Sequence, residues 1–296
     1  MNYYNEIKNK LIDNEIYERV KDYFKERNRV ITYYEVGRLL YEAGSKYGEN
    51  IIGKYAEKLV NEVGKKYNKR TLFRMKQFYI MFSNKKVSTM STQLSWSHYQ
   101  ELLSIKDIYE VNYYIDICIN QNLNVRKLRE RIKNKEYERL DDNTKLKLIS
   151  NESTDIIDFI KNPIIIKNNL NYVDISENVL KKLILEDLDN FLKEMGEGFT
   201  YIGNEYKIKI GDRYNYIDLL LFNIKFNCYV VVELKVTELR KEYIGQIMMY
   251  KNYIDRNIRK DKNETIGIII SKKDNKYVMS YCTDTRILSR EYILLN

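Results

Sequence analysis

The sequence predicts an α+β or α/β chain: an all-helical N-terminal domain, then a mixed-sheet domain flanked by helices. Three observations predict it. Apolar residues recur at helical spacing through residues 1–150, whereas short β-branched runs dominate from Phe199 onward. The only proline, Pro163, stands just before Ile164-Ile-Ile, a place for a domain start and not a helix interior. Charge divides the same way: residues 1–150 hold 29 Lys+Arg and 20 Asp+Glu, and residues 151–296 hold 22 of each, so the whole net +9 lies in the first half. A length of 296 residues suits two domains, 1–150 and 151–296, each long enough to bury a core.

In the first half, Ile31–Ala43 reads as a helix stopped by Gly44, and Ile51–Tyr67 as a second with Ile51, Tyr55, Leu59 and Val63 on one face. Thr71–Phe82 is amphipathic, Ser83–Thr92 is polar and loop-like, and Ser97–Leu103, Ile108–Asn120 and Val125–Ile132 read as three more helices. Asp141–Asp155 is polar and reads as a linker. Ser176–Met195 then reads as one long helix, N-capped by Ser176 and ended by Gly196. Phe199–Ile210 is a strand with a bend at Gly203-Asn204, and Gly211-Asp212 is a turn. Tyr214–Phe222 and Tyr229–Val236 form a hairpin, Leu239–Ile258 a helix, and Thr265–Ser271 a buried strand. Tyr277–Leu288 and Tyr292–Leu294 complete the chain as strand regions.

Composition excludes several chemistries. Cys118, Cys228 and Cys282 are isolated, without a CxxC, which argues against a disulfide framework or structural zinc. His98 is the single histidine, so a His-rich metal site or a Ser/His/Asp triad is not expected. The start Met1-Asn-Tyr-Tyr-Asn-Glu lacks an apolar signal region, and no run of 18 apolar residues occurs. The expectation is a cytoplasmic protein with no membrane partner.

The chemistry concentrates in Tyr216-Ile-Asp218-Leu-Leu-Leu-Phe and Tyr229-Val-Val-Val-Glu233-Leu-Lys235. Burying ionised groups in apolar strands costs several kcal/mol unless they pair or bind a cation. Alternation puts Glu233 and Lys235 on one face, and a four-residue loop at 224–227 pairs 223 with 228 and 218 with 233. Two carboxylates facing each other would repel, and Mg²⁺ (or Mn²⁺) between them resolves the conflict. Lys235 then orients or deprotonates water, or balances transition-state charge. Gln246 and Tyr250 share one face of the next helix, with Gln246 expected beside the site.

Asp218…Glu233-x-Lys235 with Gln246-x-x-x-Tyr250 resembles the PD-(D/E)XK nuclease superfamily. The whole chain resembles the bacterial YhcG-like family, through Tyr33-Tyr-Glu-Val-Gly-Arg-Leu-Leu, Leu72-x-Arg74-Met75-x-Gln77-Phe78-Tyr79, Gln93-Leu-Ser-Trp96-Ser-His98-Tyr99-x-x-Leu102-Leu103, Phe191-Leu-x-Glu194-Met-Gly196-x-Gly198-Phe199 and the 216–250 block. The resemblance implies a helical domain joined to a restriction-endonuclease-like sheet domain, and a metal-dependent DNA endonuclease. It implies metal on Asp218, Glu233 and the Leu234 carbonyl, and catalysis by Asp218, Glu233, Lys235 and Gln246. The first helix of such nucleases often carries an acidic residue near the site; Glu186 is the candidate, although Lys181 and Lys182 occupy nearby positions. Tyr250 is a possible accessory. Mobile-element, recombination or defence roles are expectations of the same kind.

For nucleic acid, the basic cluster Lys69, Arg70, Arg74 and Lys76 suits a helix-turn-helix-like element, and Arg126 and Arg129, with Lys127, Arg131, Lys133 and Lys135, suit phosphate contacts. The alternative for the first cluster is the solvated face of a bundle helix, and the second is equally readable as a solvated linker helix. Trp96, His98 and Tyr99 could stack on bases, but a buried staple between helices is the stronger reading. Two rivals stand beside the nuclease: a catalytically silent nucleic-acid-binding protein, and an adaptor whose helical half binds a partner protein and not DNA; a homodimer or a partner protein held through the helical domain is a further expectation.

Overall fold

A computed structural model describes residues 2–19, 24–83, 94–260 and 262–295. The chain forms two compact units, Met1–Tyr137 and Glu138–Asn296.

The first unit holds α1 (Tyr3–Arg19), α2 (Lys25–Tyr47), α3 (Asn50–Glu62), a 3₁₀ turn (Lys65–Tyr67), α4 (Lys69–Phe82), α5 (Trp96–Leu102), α6 (Ile108–Asn120) and α7 (Val125–Lys133). Asn68, Asp107 and Asn124 cap α4, α6 and α7 by accepting from Thr71, Tyr109 and Lys127 N–H groups, which satisfies donors a helix start leaves open. Two expectations need correcting. The second helix runs through Gly44 and stops at Gly48, whose φ of +80° suits glycine. The third ends at Glu62, before the 3₁₀ turn. Of the expected loop Ser83–Thr92, residues 84–92 lie outside the described residues. Gly37 shows why a family motif contains glycine. A Cβ there would lie 2.1 Å from the Met75 carbonyl oxygen, so α2 and α4 could not approach as they do. Trp96 packs edge-on against Tyr33 and Phe78, at centroid distances of 5.0 and 5.3 Å, and Tyr99 is buried. The aromatic group is therefore a staple in the core.

The second unit carries α8 (Asp142–Ser150), a 3₁₀ turn (Ile156–Phe159), β1 (Ile164–Lys167), α9 (Glu177–Glu186), α10 (Leu188–Met195), β2 (Phe199–Ile210), β3 (Arg213–Asn223), β4 (Cys228–Glu238), α11 (Lys241–Asn257), β5 (Asn263–Lys273), α12 (Lys276–Ser280) and β6 (Ile287–Leu295). The sheet order is β1-β6-β5-β4-β3-β2. The β2–β3 and β3–β4 pairs are antiparallel, and β4–β5, β5–β6 and β1–β6 are parallel. One core layer joins Leu180, Leu183, Ile184, Phe191 and Met195 of α9 and α10 to the sheet; the other joins Ile247, Tyr250 and Ile254 of α11 to its opposite face.

Three readings of this half change. The stretch expected as a linker is largely α8, tied down by Thr144 and Lys147 hydrogen bonds to the buried Asp158. The long helix 176–195 breaks at Asp187 (φ −128°, ψ 53°) into α9 and α10, while its Ser176 cap and Gly196 end hold. Tyr277–Leu288 begins as the short helix α12, capped by Asn275, and becomes strand only at Ile287. Glu194 of α10 explains another motif position: buried, it pairs with Arg139 and accepts the Ile165 N–H at 2.9 Å. Gly198 has φ +80°, which suits glycine, and a Cβ there would sit tightly against Asn223 Oδ1 at 3.0 Å.

Candidate active site

The β3–β4 hairpin has the expected register, with Asn223 opposite Cys228 and Leu219 opposite Val232. That places Asp218 and Glu233 next to each other where the ladder ends. Asp218 N–H faces Glu233 Oε1 at 3.5 Å, and Asp218 Oδ2 accepts the Leu234 N–H at 3.0 Å. Lys235 Nζ donates to Glu233 Oε2 at 3.3 Å. The three side chains converge. The atom of Leu234 that touches Asp218 is its N–H, so any use of its carbonyl is separate from this contact.

Alternation along β3 breaks at Asp218, because Ile217 packs into the α11 layer and Leu219 into the α9–α10 layer. β2 is irregular across from this stretch. A bulge between Tyr201 and Gly203 shifts the register, and Glu205 adopts φ +46° between the pairs Asn204–Leu219 and Tyr206–Ile217, opposite Asp218. The break lets Asp218 reach α9. Lys181 of α9 lies 3.0 Å from Asp218 Oδ1 and 3.0 Å from Glu205 Oε1.

Electrostatics follow from this packing. Burial raises the Glu233 carboxyl to about 7, and the neighbouring Asp218 charge adds to the effect. Burial alone would lower Lys235, but Glu233, Glu177 and Asp218 outweigh it and leave the ammonium more basic than usual. Lys181 behaves alike: burial is outweighed by Glu205 and Asp218.

The donor set fits a hard cation. Two carboxylates stand on neighbouring strands at the edge of an apolar core, Glu233 raised to about 7 by burial and by the Asp218 charge, and Asp218 paired with the Lys181 ammonium. Among the described residues no group of three or more His, Cys, Asp or Glu is arranged to hold a metal.

Other expected residues fall differently. Gln246 donates to Tyr250 Oη at 3.1 Å, one turn along α11; the α11 residue over Lys235 is Tyr243, its ring centroid 5.1 Å from Nζ. Glu186 lines an open depression of about 420 Å³ with Asn178, Lys181, Lys182, Leu185 and Glu205. The acidic residue of α9 nearest the lysine is instead Glu177, 3.8 Å from Lys235 Nζ. Sequence reasoning missed Glu177, Glu205 and Tyr243. A signal for Lys181 existed: a charge inside the apolar face Leu180, Leu183 and Ile184.

In the helical unit, Lys69, Arg70 and Arg126 are exposed, Lys69 lying 5.9 Å from the Phe73 ring centroid. Arg74 is half-buried. Lys76 pairs with Glu49, Arg129 with Glu101 at 2.7 Å, and Arg131 with Glu136 at 3.3 Å. His98 is held between Ser95 Oγ at 2.8 Å and the Leu123 carbonyl at 3.0 Å. No helix among the described residues is long and apolar enough to cross a membrane.

Comparison with known proteins gives two family matches. Residues 157–293 match the YhcG PDDEXK nuclease domain, and residues 12–139 match the DUF1016 N-terminal domain. The YhcG protein of Escherichia coli (strain K12) is 24% identical over 308 residues, covering 88% of this chain and 82% of that protein. A repair endonuclease from Pyrococcus abyssi is similar at 20% identity and a TM-score of 0.30, over 40% of this chain and 48% of its own. An EndoMS–dsDNA complex is similar at 18% identity and a TM-score of 0.31, over 41% and 47%. The chain thus spans just under half the length of either structure.

Proposed function

The chain belongs to the YhcG-like family, in which a helical domain precedes a PDDEXK nuclease domain, and from that premise we propose that it is a divalent-metal-dependent DNA endonuclease acting in the cytoplasm. The observation that carries the reading is the convergence of Asp218, Glu233 and Lys235 at the end of the β3–β4 ladder. Asp218 and Glu233 would hold Mg²⁺ or Mn²⁺, with the Leu234 carbonyl as a further ligand. The cation would neutralise phosphate charge and acidify water. Lys235 stays protonated at neutral pH, so it acts through its charge and its N–H donors and not as a base. Glu233 fixes that ammonium at 3.3 Å, and the Tyr243 ring covers it. The Leu234 N–H at 3.0 Å fixes the Asp218 carboxylate. Gln246 and Tyr250 form a supporting pair on α11, and Glu186 is assigned to the groove wall beside the site.

The helical unit is proposed to bind DNA or a partner protein, with Lys69, Arg70 and Arg126 as its exposed cations. Lys76 and Arg129 are a weaker choice, because each already has a carboxylate partner. The experiment is cleavage of plasmid, branched and single-stranded DNA with Mg²⁺ or with chelator. Activity that needs the metal and disappears in Glu233→Gln and Lys235→Ala supports the reading. One observation favours a second reading, a silent binding scaffold: an ammonium already occupies Asp218. Absence of cleavage on every substrate with Mg²⁺ and Mn²⁺ would decide for the scaffold.

A further inference from the structure

β3 pairs with β4 only from Leu219 to Asn223, so residues 206–217 of β2 and β3 form a two-stranded ribbon beyond that pairing. One face of the ribbon is core: Ile208 and Ile217 are buried against the α11 layer, with Tyr206 and Ile210 packed beside them. The other face is built differently. Lys207 pairs with Tyr216 and Lys209 with Tyr214 across the strands, and all four are exposed. Tyr214 and Tyr216 are 57% and 53% exposed. Lys207 Nζ stands 3.8 Å from the Tyr214 ring centroid, and Lys209 Nζ 6.0 Å, so the lysines hold the ring in place without burying it.

The third rung of this face is Glu205 opposite Asp218. Lys181 of α9 contacts both Glu205 and Asp218, which places them on the side of the ribbon away from the α11 core, the side that carries Lys207, Lys209, Tyr214 and Tyr216. The lysine–tyrosine rungs therefore lead along one surface to the carboxylate proposed as a metal ligand. Successive rungs lie about 7 Å apart, two residues of extended chain, and two nucleotide steps of a duplex strand rise by about the same amount.

We propose that this ribbon face is the lane that seats a nucleic-acid strand and feeds it to Asp218. Lys207 and Lys209 meet the phosphates, while Tyr214 and Tyr216 stack on bases or sugars. The occupant follows from charge and chemistry: paired ammonium groups beside flat aromatic rings match a chain of alternating anions and π-faces. Arg213, exposed at the ribbon tip, extends the basic edge. The inference rests on the nuclease reading for its direction of travel, but not for binding itself.

The test uses the full chain in EDTA and a fluorescein-labelled mixed-sequence 20-nucleotide single strand, read by anisotropy at several salt concentrations. The doubly substituted variants K207E/K209E and, as a milder pair, K207Q/K209Q should bind at least tenfold and threefold more weakly. The reversal should also flatten the salt slope by about 1.4, two single-strand phosphate contacts. Y214A/Y216A should lose at least fivefold, with Y214F/Y216F retaining binding. Parental affinity in every variant, with unchanged thermal unfolding, overturns the lane. Loss in the lysine variants alone overturns the stacking half. If the parent cleaves with Mg²⁺ yet the variants bind normally, the lane falls and the nuclease reading stands. If ribbon-dependent binding occurs without cleavage under any condition, the nuclease reading falls and the lane stands.

Discussion

Replacing Lys181 with methionine should tighten metal binding. In the structure the Lys181 ammonium lies 3.0 Å from Asp218 Oδ1 and 3.0 Å from Glu205 Oε1. At an effective dielectric of about 20, each contact carries roughly 5 kcal/mol of Coulomb attraction before solvation is counted. The Glu205 side chain is 58% exposed, so that contact is largely screened and contributes about 1 kcal/mol or less. The Asp218 contact is better shielded, at 10% and 15% side-chain exposure, but desolvation offsets most of its attraction and leaves about 1–2 kcal/mol. A cation arriving at Asp218 must displace this lysine, so the cost adds to the dissociation constant. Removing about 2 kcal/mol predicts roughly thirtyfold tighter Mn²⁺ binding by titration calorimetry. Methionine keeps the volume of a residue that is 8% exposed on α9, so the helix should hold. Without metal the variant should melt lower, because Asp218 loses its counter-charge, and Mn²⁺ should restore the difference. Equal or weaker Mn²⁺ binding by Lys181→Met would refute the competition. Unchanged metal affinity with weaker DNA binding would instead make Lys181 a phosphate contact.

Other perturbations separate the roles of neighbouring groups. Glu233→Gln should fold, bind DNA and lose metal-dependent cleavage, while Lys235→Ala should retain metal and lose a hundredfold or more in rate, both read in single-turnover assays. Metal affinity of the parent should climb as pH rises toward about 7 and flatten above it, because Glu233 must lose its proton to bind a cation; a flat profile between pH 6 and 8 would contradict the raised carboxyl. The same shift acts on stability. The folded carboxyl binds protons more tightly than the unfolded one, so its contribution is complete below about pH 4.5 and lost as pH rises through about 7. Metal-free Glu233→Gln should therefore gain roughly 3 kcal/mol on the parent between pH 4.5 and 8 in denaturant titrations. Asp284→Asn should destabilise by about 3 kcal/mol, since it strands the fully buried Lys251. Lys251 and Arg286 outweigh burial and hold the Asp284 carboxyl at about 2, so its contribution is present above pH 4 and disappears as pH falls through 2.

The parts of this molecule legible in the sequence are those written into local pattern. The 224–227 loop sets the hairpin register, Ser176 caps α9, and Gly196 ends α10 at φ +114°. Spacing alone indicated Asp218, Glu233 and Lys235 as neighbours. What escaped depends on partners distant in sequence or on backbone irregularity. Glu205 reaches the site because of a bulge and a left-handed φ that nothing in Gly203-Asn204-Glu205 specifies beyond a bend. Asp187 breaks a helix whose apolar stripe continues on either side. Tyr277-Val-Met resembles strand in composition, yet the Asn275 cap makes it a helix turn. Gln246 was expected at the carboxylates from its position on the following helix, whereas its hydrogen bond runs to Tyr250 and Tyr243, three residues earlier, covers the lysine.

Net charge illustrates the same limit from another direction. All of the +9 belongs to residues 1–150, which made the helical half the natural place to seek a nucleic-acid surface. Yet several cations expected there are spent internally: Lys76 on Glu49, Arg129 on Glu101, Arg131 on Glu136. The half with no net charge places Lys207 and Lys209 in the open, beside two exposed tyrosines. A strand of nucleic acid responds to the field within about one Debye length, roughly 8 Å at physiological salt. Over that range a pair of aligned ammonium groups outweighs a charge excess summed over a whole domain. The neutral total of the second half is then no argument against its binding an anion. Part of its negative charge is turned inward, where Asp218, Glu233 and Glu194 face lysine, arginine and the cation proposed to join them.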